Sequence, residues 1–195
     1  TSRMPREMVF VVDTSGSMHG VSITQAKEAL QRALTGLQPG DRFNVIEFNT
    51  HPTPLFAESM PASASNTGMA QNFVNRLRAN GGTEMNAALQ YALGTPPQHG
   101  YLRQIIFVTD GAVGNEEGLF KLIEARLGDA RLFTVGIGSA PNSWFMRKSA
   151  ELGRGTFVII SALHEVQEKM DTLLRKLEHP QVTNINLSWP GGNVV

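Results

Sequence analysis

Asp13, Ser15 and Ser17 alternate along one short stretch, Met8–Met18, which reads MVFVVDTSGSM. Alternating positions in a turn can aim three oxygen-bearing side chains at one point, and Gly16 between them lets the backbone bend without a steric penalty. Two more such residues stand in comparable places: Thr83 follows Asn80-Gly81-Gly82, and Asp110 ends the run QIIFVTD. Carboxylate and hydroxyl oxygens are hard donors that suit Mg²⁺, Mn²⁺ or Ca²⁺ and do not suit zinc or copper. Two carboxylates held side by side repel each other unless a cation lies between them. A divalent ion among neutral hydroxyls and one or two carboxylates stays incompletely neutralised, so it attracts a carboxylate from outside. Magnesium keeps exchangeable waters, which leaves a position for that visitor. The competing reading is structural, because an Asp or Ser just after a strand commonly caps the next helix. For Asp13-x-Ser15 alone capping is the simpler reading, and only partners elsewhere in the chain favour a metal.

Bringing these distant turns together needs a scaffold. Met8–Val12 is apolar without alternation, the pattern of a strand buried on both faces of a parallel sheet. In open α/β sheets, ligands sit at the carboxyl ends of such strands, where Asp13, Ser15 and Ser17 fall. Gln104–Thr109 is a second such strand, and if the two are neighbours Asp13 and Asp110 lie side by side. Further strands are expected at Arg42–Phe48, near Thr53–Phe56 at an edge that tolerates Pro52 and Pro54, at Arg131–Val135 and at Gly155–Ile160. Helical periods run through Ile23–Leu37, Ala70–Leu77, Met85–Ala92, Leu119–Leu127, Ser143–Leu152 and Glu165–Leu177. Pro39-Gly40 and Pro180 are stop signals. Strands alternating with helices predict an α/β fold: a doubly wound, mostly parallel, Rossmann-like sheet with helices on both faces. Residues 1–180 are expected to form the domain, with Thr1–Glu7 as a linker into the first strand. Val182–Trp189 alternates apolar and polar, so 181–195 reads as a strand or linker leading into a following module.

Composition excludes several classes. The chain has 195 residues, 41% hydrophobic and 17% charged, which suits one globular domain. Lys plus Arg equals Asp plus Glu, so no basic excess drives binding to nucleic acid or to anionic membranes. No apolar run reaches the length of a membrane span. There is no cysteine, hence no disulfide framework, zinc–thiolate site or Cys nucleophile. The chain begins at Thr1, as an excised piece would, so the lack of a leader carries no information.

With the oxygen-rich turns in this order, the sequence resembles the von Willebrand factor type A (VWA) domain family over about Pro5–Glu178. The metal ion-dependent adhesion site of that family is Asp-x-Ser-x-Ser, then a Thr, then an Asp; Asp13, Ser15, Ser17, Thr83 in GGTEM and Asp110 in VTDG occupy those positions. The resemblance implies that Asp13, Ser15, Ser17 and Thr83 hold the ion directly or through water, with Asp110 often one step removed. It implies no catalytic residues and no enzyme, but a metal-dependent binding module whose protein partner donates an Asp or Glu carboxylate. Within the family, PREMVFVVDTSGSM, NGGTEMNAAL, RQIIFVTDGAVGNE and FTVGIGSAPN are most similar to the inter-alpha-trypsin inhibitor heavy chain branch, and in particular to bacterial members known as marine proteobacterial sortase target proteins. Those bacterial members resemble surface proteins that pair the domain with an upstream VIT domain and carry a C-terminal sorting signal. That resemblance implies adhesion or assembly at a bacterial cell surface or outside the cell.

Other residues carry two readings each. Thr83 doubles as a natural cap of its helix, and Glu84 reads as a first-turn residue favoured by the helix dipole. His19 is a surface histidine or touches a partner. Trp144 and Phe145 either pack their short helix or leave one ring exposed to grip a partner. Asn115, Glu116 and Glu117 line the rim or simply start a helix. The Glu165–Leu177 helix is read as static, although in related adhesion domains this helix shifts with the metal site. Three alternatives to the binding module remain. The metal could serve stability alone. A Mg²⁺-dependent phosphohydrolase would need a second acid near the nucleophile and a phosphate-holding cation, yet Ser15 stands two after Asp13 and only His19 joins the turns. Nucleotide binding would need a Gly-x-Gly-x-x-Gly or Walker pattern after the first strand, and neither is present.

Overall fold

Long apolar strands need cover on both faces, and the chain provides it by alternation. The computed structural model describes residues 4–178. Strand β1 (Arg6–Asp13) is followed by helix α1 (Val21–Thr35), β2 (Arg42–Phe48), β3 (Pro52–Pro54), β4 (Met60–Pro61), α2 (Ala64–Arg76) and α3 (Met85–Gly94). Then come β5 (Leu102–Thr109), α4 (Glu116–Arg126), β6 (Arg131–Ile137), α5 (Ser143–Leu152), β7 (Phe157–Ile160) and α6 (Val166–Glu178). The strand order is β3-β2-β1-β5-β6-β7, with β4 also paired to β2. Pairings among β1, β2, β5, β6 and β7 are parallel, whereas β3 and β4 run antiparallel to β2. This is the expected doubly wound α/β sheet.

Every residue of β1 is buried, and its side chains divide by parity. Met8, Phe10 and Val12 join the core under α1, α2 and α6, while Val9 and Val11 join the core under α3, α4 and α5. The chain leaves β1 toward β2 on one side and reaches β5 on the other. The carboxyl ends of β1 and β5 therefore flank a topological switch point, where an open sheet leaves a crevice.

The structure departs from expectation in places. Arg6 and Glu7 belong to β1, not to a linker, because buried ion pairs hold them (below). β6 runs on to Ile137, since Gly136 and Ile137 pair with Ile159 and Ile160. The edge strand with its two prolines begins at Pro52, and the two-residue β4 carried no periodicity to read. The tail 181–195, its expected strand at Val182–Trp189 and the stop at Pro180 lie outside the described residues. Among the described residues no helix is long and apolar enough to cross a membrane.

Candidate metal centre

Asp13 ends β1 and is completely buried. Its Oδ1 accepts the Ser15 N–H at 2.8 Å, which folds the chain back on itself, and its Oδ2 accepts the Thr109 hydroxyl from β5 at 2.6 Å. The turn delivers Ser15 and Ser17 with their Oγ atoms 3.0 Å apart. None of these oxygens caps a helix. The 3₁₀ turn Gly16–Met18 has Ser15 at its cap position without a side-chain cap bond, and the cap position of α1 is Gly20, with φ 83° and no side chain to cap with. The capping explanation for the alternating oxygens is thereby removed.

Thr83 arrives on the loop between α2 and α3, which is tied to its neighbours at four points. Asn80 N–H donates to Thr14 O at 2.7 Å, and Gly16 N–H donates to Gly81 O at 3.1 Å. Gly82 N–H donates to the Thr50 hydroxyl at 3.3 Å, and Glu84 N–H to Asn49 O at 2.7 Å. Gly81 has φ +79°, and a Cβ there would stand 2.8 Å from Thr50 Oγ1, so a side chain is excluded twice over. Thr83 is half-buried and is not the cap of α3: Glu84 holds that position, and it makes no side-chain cap. Asp110 follows β5 and is half-buried. Its Oδ1 accepts Ala112 N–H at 3.0 Å and its carbonyl accepts Asn142 N–H at 3.0 Å. Thus Asp13, Ser15 and Ser17 are bonded into one turn, Thr83 is held beside that turn by the tied loop, and Asp110 lies close enough to Asp13 to repel it.

Electrostatics single this spot out. Burial pushes the Asp13 carboxyl above its ordinary pKa, the Ser15 and Thr109 hydrogen bonds pull it down, and Asp110 pushes it up again. The ion pairs among the described residues join Arg6 to Asp41, Arg32 to Asp171, Arg103 to Glu7 and Lys121 to Glu117; none serves Asp13 or Asp110. A buried carboxylate beside a second carboxylate, without a basic side chain, is a place for a cation. Among the described residues no three His, Cys, Asp or Glu side chains gather as a metal-binding group. An ion here would therefore draw part of its coordination from Ser15, Ser17 and Thr83. Such an all-oxygen set could hold a hard divalent ion and could not favour a soft one.

Two residues of the site escaped the sequence reading. Thr14 is buried and its hydroxyl donates to Glu47 at 2.9 Å, tying the turn to β2. Thr109 fixes the Asp13 carboxylate; its signal was the parallel register, which pairs Val12 with Val108 and so sets Thr109 beside Asp13. His19 is exposed. Asn115 caps α4, with Glu116 and Glu117 in its first turn, as a helix start requires. Phe145 is buried and stacks on Phe120 at 5.7 Å, whereas Trp144 meets Phe120 edge-on at 5.2 Å and stays half exposed.

The model of the "von Willebrand factor type A domain" family matches residues 6–159. Human inter-alpha-trypsin inhibitor heavy chain H4 is 33% identical over 98% of this chain, which spans 22% of that protein. The chain spans only 10–22% of the curated relatives it matches. A solved von Willebrand factor type A structure from Catenulispora acidiphila is 27% identical, with a TM-score of 0.77 over 87% of this chain and 42% of that one. The manganese-loaded TRAP protein of Plasmodium vivax is 19% identical, with a TM-score of 0.70 over 88% of this chain and 74% of that one, a likeness of fold. Family model, relatives and sheet topology agree: the chain belongs to the von Willebrand factor type A domain family, whose members often serve in adhesion and protein interaction.

Proposed function

We propose that this domain is a divalent-metal-dependent protein-binding module for adhesion or surface assembly, without catalytic activity. Asp13, Ser15, Ser17, Thr83 and Asp110 would hold Mg²⁺, with Mn²⁺ or Ca²⁺ as substitutes, and an Asp or Glu carboxylate of the partner protein would complete the coordination. The observation that carries this reading is the buried Asp13 carboxylate, which faces a second carboxylate and two adjacent serine hydroxyls with no basic side chain to neutralise it. The manganese named for the Plasmodium vivax neighbour is consistent with it. When bound, the ion supplies a positive charge that an incoming carboxylate can ligate. The protein's own residues do the rest: Thr109 and the Ser15 amide orient Asp13, and the tied loop presents Thr83. A place at a bacterial cell surface, and kinship with sortase-target proteins, belong to the same proposal and rest on resemblance.

A second reading makes the ion structural, since four hydrogen bonds already lace the Thr83 loop to the first turn and to the segment after β2, and a shared ion would tighten that lacing. One experiment separates the two. Binding of the partner protein is measured by surface plasmon resonance in Mg²⁺, in EDTA, and with Asp13→Ala. Loss of binding in EDTA, recovery on adding Mg²⁺ and no binding by the variant support the adhesion module. Metal-dependent melting combined with metal-independent partner binding would leave only the structural ion.

A further inference from the structure

The turn Asn80-Gly81 carries chemistry of its own. We infer that Asn80–Gly81 is a site of spontaneous succinimide formation, which converts Asn80 to aspartate or isoaspartate at the edge of the candidate metal centre. In this reaction the Gly81 amide nitrogen attacks the Asn80 side-chain carbonyl carbon. A new N–C bond closes a five-membered imide, and the side-chain nitrogen leaves as ammonia, taking the Gly81 proton. Water then opens the ring at either carbonyl, giving a normal aspartyl or a β-linked isoaspartyl residue. No oxidant, metal or enzyme is needed.

Three conditions govern the rate, and the structure meets all of them here. The following residue must be small, and Asn80 is the one asparagine in the sequence followed by glycine. The segment must lie outside regular structure and be open to water: residues 80–82 are exposed loop. The reacting groups must be free. The loop's anchors use the Asn80 N–H and the Gly81 C=O, and among the described residues neither the Asn80 side-chain amide nor the Gly81 N–H makes a hydrogen bond.

Neighbouring candidates fail one of these conditions. Asn142-Ser143 also has a small follower, but Asn142 Oδ1 accepts Phe145 N–H at 3.0 Å and its Nδ2 donates to Gly111 O and to Glu116. Asp110-Gly111 could cyclise by the same route, yet the Gly111 N–H, its attacking nitrogen, donates to Thr109 Oγ1 at 3.0 Å. Asn49 and Asn115 also spend their side chains on backbone N–H groups. The remaining asparagines among the described residues lie in β2, α2 or α3, where regular backbone holds the next N–H in place.

The two products differ physically. Aspartate keeps the backbone and adds a charge. Isoaspartate inserts a methylene into the main chain between the Asn80 N–H, bonded to Thr14, and the Gly81 C=O, bonded to Gly16. Both anchors cannot then keep their geometry, so the Thr83 loop loosens from the first turn. The consequence for metal affinity rests on the proposed metal site; the chemistry and the loosening do not.

The full chain is aged in mildly alkaline buffer and sampled by peptide mapping that resolves isoaspartate, by melting in EDTA and by Mg²⁺ titration, beside Asn80→Ser and freshly made Asn80→Asp. Asn80 is expected to convert before every other described asparagine. Aged wild type should melt lower in EDTA and bind Mg²⁺ more weakly, in proportion to its isoaspartate. Asn80→Ser should not change on ageing, and fresh Asn80→Asp should melt like fresh wild type. Another asparagine converting first, or fully converted protein melting like fresh protein, would overturn the inference. If fresh wild type binds no Mg²⁺ at all, the metal reading fails, and mapping and melting still decide this one.

Discussion

The two ends of β1 handle a buried carboxylate in opposite ways. At the amino end Glu7 accepts from Arg103 Nε and Nη2, at 2.9 and 2.7 Å, from the Ser59 hydroxyl at 2.7 Å and from the Gln98 N–H at 3.0 Å. Next to it Arg6 pairs with Asp41, also buried. Burial alone would raise the Glu7 pKa, but the Arg103, Gln98 and Ser59 hydrogen bonds together with the Arg103 charge bring it below its ordinary value. At the carboxyl end Asp13 is equally buried, has only a hydroxyl and an amide to bond, and its pKa is raised. One end is closed and neutral within the protein; the other is left short of positive charge. That shortfall, and not burial itself, distinguishes the candidate functional end from the structural end.

Substitutions should break this contrast unequally. Arg103→Ala strands a buried Glu7 charge and should cost about 3–5 kcal/mol in urea denaturation. Asp13→Asn, measured on metal-free protein, should leave stability unchanged or higher, because it removes a carboxylate that nothing neutralises. A large loss for Asp13→Asn would make the two ends alike. Acid should sharpen the comparison next. For Asp13 the folded pKa is raised, so the folded state takes up its proton first and stability of the metal-free protein rises as pH falls through that folded value. For Glu7 the folded pKa is lowered, so its contribution is present above the ordinary carboxylate value and is lost as pH falls through the lower folded value. Metal-free wild type should therefore gain stability on mild acidification and lose it on stronger acidification, while Asp13→Asn should show only the loss. The smallest effect is expected at Trp144. Trp144→Ala forfeits one edge-on contact with Phe120 and should cost about 1 kcal/mol beyond its lost burial, while any grip on a partner would show as weaker binding at unchanged metal affinity.

The doubly wound α/β class followed from apolar runs and the alternation of strand and helix, and the oxygen-rich turns could be placed because each ends a strand or precedes a helix; the strand order itself carried no sequence signal and came from the structure. Long-range polar pairing was not legible. Arg6 and Glu7 read as linker because charged residues do not look like strand, yet Asp41 and Arg103, far along the chain, bury them in β1. Thr83 read as a cap because cap residues and loop residues share chemistry; α3 starts two residues later, after the Glu84 N–H has bonded to Asn49 O. The adjacent rings Trp144 and Phe145 were inseparable by periodicity, since neighbours on a helix point in different directions and the position of α4 decides which one is covered.

The central claim is that the unneutralised end of β1 takes a divalent cation. Calorimetric titration of Mg²⁺, Mn²⁺ and Ca²⁺ into EDTA-stripped wild type and Asp13→Ala tests it directly. One-to-one binding by wild type and none by the variant is the predicted result. Equal binding by both, or no binding of any ion by wild type, would contradict it.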